Sequence, residues 1–384
     1  MKGIVFLISA ILMAAPVESG RQEFRTLNGL RVILDERHDR SVLRLFLLVG
    51  WDRSALSDLQ ADQFLSIRST LSQCGAGGLS RPAFDRRLAD QGLRLVFKGT
   101  GDSLSWSMLS DSQDQDDAFE LLGHAVFRPA LEDDLAPVGK AAAGKAKPED
   151  LFRASLGFPS EGIAAKGLST DESFAIHRRL VRPEQSVLVI QGDLSLAQAR
   201  QSVMLHLGTW SPSIEKVIGA PRPSPPLELV QLKAGAGAGA WAGSPAPVGD
   251  ARARAAHIAV AMLLSRRFRE EIPRGITFEA FRPGGDSGPL LFGIGSEASD
   301  PRKHLRTVLE GLCRRGFEAG DLALVRSAWQ TERAALALHP EDQLEAIARI
   351  ALKGDPGDYL LDLSLEEINA ALRARIDPAV LLWF

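Results

Sequence analysis

Histidine, cysteine, serine and clustered acids build most catalytic and metal sites, and in this chain none of them is spaced for that work. The seven histidines (His38, His124, His177, His206, His257, His304 and His339) never stand three or four residues apart, so no helix turn presents two imidazoles to one metal ion. His124 falls in an amphipathic segment and reads as a partly buried side chain; His304 reads as solvated at a helix start. Cys74 and Cys313 are far apart, outside any CxxC and away from histidine, which argues against a thiolate-held metal. They read either as a disulfide or as two buried thiols. No serine sits in G-x-S-x-G, and Gly243-Ser244-Pro245 lacks the frame of a nucleophile elbow. The run 234–243 (AGAGAGAWAG) has no Lys-Ser/Thr after it and is not a phosphate cradle. Asp111–Asp117 (DSQDQDD) lacks the glycine turn and closing Glu of a calcium loop and reads as a solvated helix start, where the dipole favours acids.

The elements that would position any site follow from periodicity. Leu30–Leu34 alternates, Val42–Val49 is almost continuously apolar like a strand covered on both faces, and the polar 35–40 turn between them predicts a hairpin. A helix is expected over Leu56–Leu71, and a second from Ser80/Pro82 to Gly92. Strands are expected over Leu93–Phe97 and Leu104–Leu109, then a helix from about Asp116 to Phe127. Lys140–Lys147 reads as a surface connection and 187–190 (VLVI) as a buried strand. Ser195 caps a helix that places Gly208 at C′. Pro221–Pro226 (PRPSPP) is the best linker. Beyond it a strand is expected at Leu227–Leu232, a helix over Ala251–Phe268, a strand at Leu290–Ile294 and a helix over His304–Arg315. Gly285-Asp286-Ser287 precedes its strand as Gly101-Asp102-Ser103 precedes the strand from Leu104, so the order points to an internal duplication.

The 384 residues are 45% apolar and 24% charged with a formal charge of −3, which suits globular domains and argues against a nucleic-acid or anionic-membrane partner. Lys2 followed by the apolar run Gly3–Ala15, with Val17 and Ser19 before Gly20, predicts an export signal over residues 1–19. An uncleaved anchor is the other reading, for which the run is short. The expected organisation is a first α+β half over 20–220, the linker 221–226 and a second α+β half over 227–384.

Three segments resemble the insulinase/pitrilysin family of zinc peptidases: 27–34 (LNGLRVIL) with the strand ending at Gly50, 182–193 (RPEQSVLVIQGD), and 269–278 (REEIPRGITF). With the duplication, the resemblance spans nearly the whole chain after the signal. It implies an α+β fold of two similar repeats, each a mostly antiparallel sheet backed by helices, pairing to enclose a chamber. It also places 234–243 at an opening strand of the second repeat, where small residues admit a neighbouring backbone; a flexible loop is the alternative.

Active members carry HxxEH on the helix after the opening hairpin: two imidazoles bind zinc, the Glu activates water, and a distant Glu completes the site. No His or Glu occurs between His38 and Glu120. The resemblance therefore implies a pseudo-peptidase with no catalytic residue, no metal and no cofactor, and with peptides and an HxxEH-bearing homologue as partners. In the family's non-catalytic subunits an Arg and a Tyr of the second repeat hold the substrate backbone. Here Phe278 stands for the Tyr, and Arg269 or Arg274 for the Arg, with a longer spacing from Arg269 and no phenolic donor. The plainer reading is an exposed helix-end Arg and a core Phe. The alternative function is a stand-alone, exported peptide-binding or chaperone-like protein that captures strands at an open sheet edge. The chain stops at Leu381–Phe384, where a last strand would start, so that strand is expected to be missing or supplied by a partner.

Overall fold

The computed structural model describes residues 21–51, 61–100, 103–131, 168–211, 239–245, 249–270, 276–280, 282, 288–294 and 300–383. The expected signal, the connection at 140–147, the linker 221–226, the strand at 227–232 and Arg274 lie outside the described residues.

Two sheets organise the fold. The first is built from β1 (Gln22–Arg25), β2 (Arg31–Glu36), β3 (Val42–Gly50), β5 (Arg94–Gly99), β6 (Ser103–Asp111) and β8 (Ser186–Gly192), in the order β1-β2-β8-β3-β6-β5. A small pair, β4 (Gly75–Ala76) and β7 (Pro129–Ala130), lies apart from it. The second sheet runs β10 (Ile276–Ala280), β11 (Leu290–Ile294), β9 (Ala240–Ser244), β12 (Leu382–Trp383). Every pairing is antiparallel except β2 with β8.

The hairpin expected between β2 and β3 does not form. β8 inserts between them, parallel to β2 and antiparallel to β3. The polar 37–41 turn is real, but two strands that each offer apolar side chains on both faces gain more by sandwiching a third apolar strand than by pairing with each other. Beyond β2 lies β1, whose QEFR sequence carries too little β pattern to announce itself.

The alternation along β3 explains the layers. Leu43, Leu45, Leu47 and Val49 pack with Leu104, Trp106 and Met108 of β6 against α3 (Gln115–Phe127) and α5 (Leu196–Leu207). Phe46 and Leu48 point the other way, with Ile33, Val187 and Val189, and meet Leu344, Ile347 and Ala348. Those three residues belong to α9 (Pro340–Lys353), a helix from the far end of the chain laid over the first sheet. The expectation that 42–49 is covered on both faces is met, by a helix that no local pattern assigns to it.

Local chemistry fixes the helix ends. Ser195 and Gln198 form a reciprocal capping box on α5, and Ser169 with Glu172 does the same for α4 (Thr170–Leu180). Gly208 ends α5 in a right-handed conformation rather than the left-handed C′ expected (φ −67°). The carbonyls left open there are taken by Asn28, whose Nδ2 donates to Leu207 and Trp210 at 2.9 Å each. α1 is described from Ala61 to Gln73, and α2 runs Arg81–Asp90 behind Ser80 and ahead of Gly92.

In the second sheet, α6 (Ala251–Glu270), α7 (Pro301–Arg315) and α11 (Leu365–Ile376) cover one face around Ala242, Leu290 and Phe292. Of the run 234–243, residues 234–238 lie outside the described residues, and Ala240–Ser244 is a buried strand rather than a loop. The close approach there comes from Gly293 opposite, where a Cβ would stand 2.4 Å from the Trp241 ring. α8 (Ala319–Leu336), α9 and the short α10 (Gly357–Leu360) complete the chain before α11. Among the described residues no helix is long and apolar enough to cross a membrane.

Candidate functional site

The polar residues of the first half converge at the turn from β5 to β6. Thr100 and Ser103 share a hydroxyl hydrogen bond of 2.7 Å, and the Thr100 amide donates to the Ser103 carbonyl. Two guanidiniums grip this tip. Arg68 of α1 donates to the Gly99 carbonyl, and Arg349 of α9 donates to Ser103 Oγ at 2.9 Å. Arg349 is balanced by Glu345 one turn away, at 2.9 Å. Arg68, Thr100, Ser103 and Arg349 are all buried. These hydroxyls and guanidiniums hold the backbone of the turn in place.

α1 is the helix on which the family resemblance would place zinc. Its described residues, ADQFLSIRSTLSQ, contain no imidazole, thiol or Glu, a donor set that does not fit zinc. Among the described residues no group of three or more His, Cys, Asp or Glu is arranged to hold a metal ion.

Of the expected clamp residues, Arg269 and Phe278 are among the described residues. Arg269, exposed in the last turn of α6, turns back on its own helix and donates from Nε to the Ser265 carbonyl at 3.0 Å. Phe278, on edge strand β10, is half-buried, stacks on Phe268 at 4.9 Å and lies tilted against Phe292 at 5.2 Å between ring centres. Arg274 lies outside the described residues.

The histidines hold structural posts. His177 is buried against the Val126 carbonyl at 2.9 Å, and burial pushes its imidazole down to about 4. His124 is half-buried, with its pKa lowered chiefly by burial. His304 is exposed in the first turn of α7. His38 bridges two turns, with Nδ1 2.5 Å from Asp193 and Nε2 2.8 Å from Glu36, and these carboxylates raise its pKa. Cys74 and Cys313 are free thiols. Burial raises each to about 11, far from a reactive thiolate.

No protein-family model and no curated protein matches the chain by sequence. Solved structures do. A protease from Helicobacter pylori superposes with a TM-score of 0.69 at 13% identity, over 94% of this chain and 98% of the other. A peptidase M16 inactive domain from Pseudomonas fluorescens gives 0.66 at 16% identity, over 94% and 96%. The periplasmic protease PqqL from Escherichia coli gives 0.59 at 16%, covering 93% of this chain but 44% of that longer one. Over nearly its whole length, the chain has the α+β fold seen in M16 peptidase structures.

Proposed function

We propose that this chain is an exported, non-catalytic relative of the M16 (insulinase/pitrilysin) peptidases that pairs with an active, HxxEH-bearing homologue and contributes half of a peptide-enclosing chamber. One observation carries the reading: an M16-like fold whose sequence has no His or Glu between His38 and Glu120, the stretch in which the zinc motif would fall. A neighbour described as an inactive M16 domain and a periplasmic protease whose chain is more than twice as long support the partner role. The apolar run Gly3–Ala15 supports export. The direct test of non-catalysis is zinc content and hydrolysis by the isolated chain after equilibration with zinc. The expected result is no retained zinc and no cleavage of unfolded peptides. Stoichiometric zinc with cleavage would overturn it.

A second reading, a stand-alone peptide binder, is favoured by Phe278. With a phenyl ring locked in the Phe268/Phe292 stack in place of a phenol, no hydroxyl is held there for a substrate backbone. Capture would then rest on an outer strand, β1 or β5 of the first sheet or β10 or β12 of the second, each of which pairs on one side only among the described residues. Fluorescence anisotropy of labelled unfolded peptides separates the readings: saturable binding by the chain alone supports the second, and none at high micromolar concentration removes it.

A further inference from the structure

Two buried arginines from the last third of the chain each donate to a serine at a strand end, one in each sheet. In the first sheet β3 ends at Gly50 opposite Ser103, the first residue of β6, and Ser103 Oγ accepts from Arg349. In the second sheet β9 ends at Ser244 opposite Leu290, the first residue of β11, and Ser244 Oγ accepts from Arg375 Nε at 2.9 Å. Both residues are sealed from solvent, at 3% and 2% exposure.

They differ in charge balance. Arg349 has Glu345. Arg375 donates to Ser244 Oγ and, from Nη2, to the Gly288 carbonyl at 2.6 Å; among the described residues it meets no carboxylate, and its Nη1 is buried without a partner. On α6, which packs against α11, His257 Nδ1 is likewise buried without a partner. A guanidinium cannot shed its proton to escape burial as a lysine can, so an uncompensated one is a standing cost to the fold.

We propose that Arg375 and His257 form an internal receptor for one small monovalent anion, chloride or a simple carboxylate, that neutralises the guanidinium through Nη1. The geometry sets the class. Nε and Nη2 are already engaged, so the two-pronged fork that grips phosphate is closed and a single acceptor atom is what Nη1 can take. Burial alone pushes the Arg375 guanidinium down to about 9, and burial together with the Arg375 charge pushes the His257 imidazole down to about 3; an anion accepting from Nη1 raises both. This site is independent of the peptidase reading.

The test exchanges the full chain into sulfate buffer and replaces sulfate by chloride, or by acetate, at constant ionic strength. The expected result is a saturable rise in Tm of about 2–4 °C. The His257 side-chain 15N resonances should move with the same midpoint, and both effects should vanish in Arg375→Met. Response to one anion and not the other identifies the ligand. An equal or unsaturating rise in Arg375→Met means an adventitious ion only and overturns the proposal. Where Arg375→Met does not fold, the wild-type chain decides: a His257 signal unmoved by either anion is equally fatal.

Discussion

Strand for strand, β5, β6, β3 and β8 of the first sheet are matched by β10, β11, β9 and β12 of the second, with antiparallel pairing at every step. The copies are unequal in depth. The nine-residue β3 is buried on both faces, by the helices of its own half on one side and by α9 on the other. The five-residue β10 alternates half-buried and exposed residues. Arg349, which α9 lays against the first sheet, has the Glu345 carboxylate at 2.9 Å, whereas Arg375 beside the second sheet meets none among the described residues. Both sheets keep an outer strand, β5 in the first and β10 in the second, while the first has the second face of its central strands covered by α9, a helix from beyond the second sheet's opening strands.

The largest effects should come from breaking each core. Phe292→Ala, at the centre of the second half's aromatic stack, is expected to cost about 3–5 kcal/mol, read by urea denaturation. Leu344→Ala, which strips α9 of a fully buried anchor on the first sheet, is expected to cost about 2–5 kcal/mol by the same measurement. A loss under about 1 kcal/mol would mean that α9 does not close the first half. Next comes charge. Glu345→Gln, which removes the carboxylate 2.9 Å from the buried Arg349, should lower stability by about 1–3 kcal/mol; no loss would show that this ion pair contributes nothing to the fold. Removing the α5 cap with Ser195→Ala should cost about 1 kcal/mol, seen as a small drop in Tm.

The smallest effect is a pH dependence. Asp193 and Glu36 raise the pKa of the exposed His38 above its ordinary 6.5. A group with a raised folded-state pKa stabilises fully below its unfolded value and loses that contribution as pH climbs through the folded one. The stability difference between wild type and His38→Gln should therefore shrink as pH rises from about 6.5 upward. A difference independent of pH would show that the bridge between the two turns contributes no charge.

Much of the element order was legible because it rests on short-range signals. Ser195 with Gln198, Pro82 behind Ser80, and the acids before α3 each act within one helix turn. The insertion of β8 between β2 and β3 was not legible, since VLVI can pair with any apolar strand and nothing local names its neighbour. α9 was missed for the same reason: Leu344, Ile347 and Ala348 mark an amphipathic helix but not the sheet it covers. The end of the chain reads as a last strand missing or supplied by a partner, whereas Leu382–Trp383 of the chain itself adds two residues beside β9. At the site, the absence of His and Glu around α1 was plain in the sequence. Arg375 was invisible, because an Arg in the last turn of a helix looks like a solvated dipole partner until tertiary packing buries it. Arg349 had a faint signal in its i,i+4 spacing from Glu345.

The most direct test of the account is tagged purification from the native source, with mass spectrometry of whatever co-elutes in stoichiometric amount. The account predicts a second chain of the same fold bearing HxxEH, with peptide hydrolysis by the pair. A lone chain that binds no such relative would contradict the partner role and leave peptide capture by this chain itself as its function.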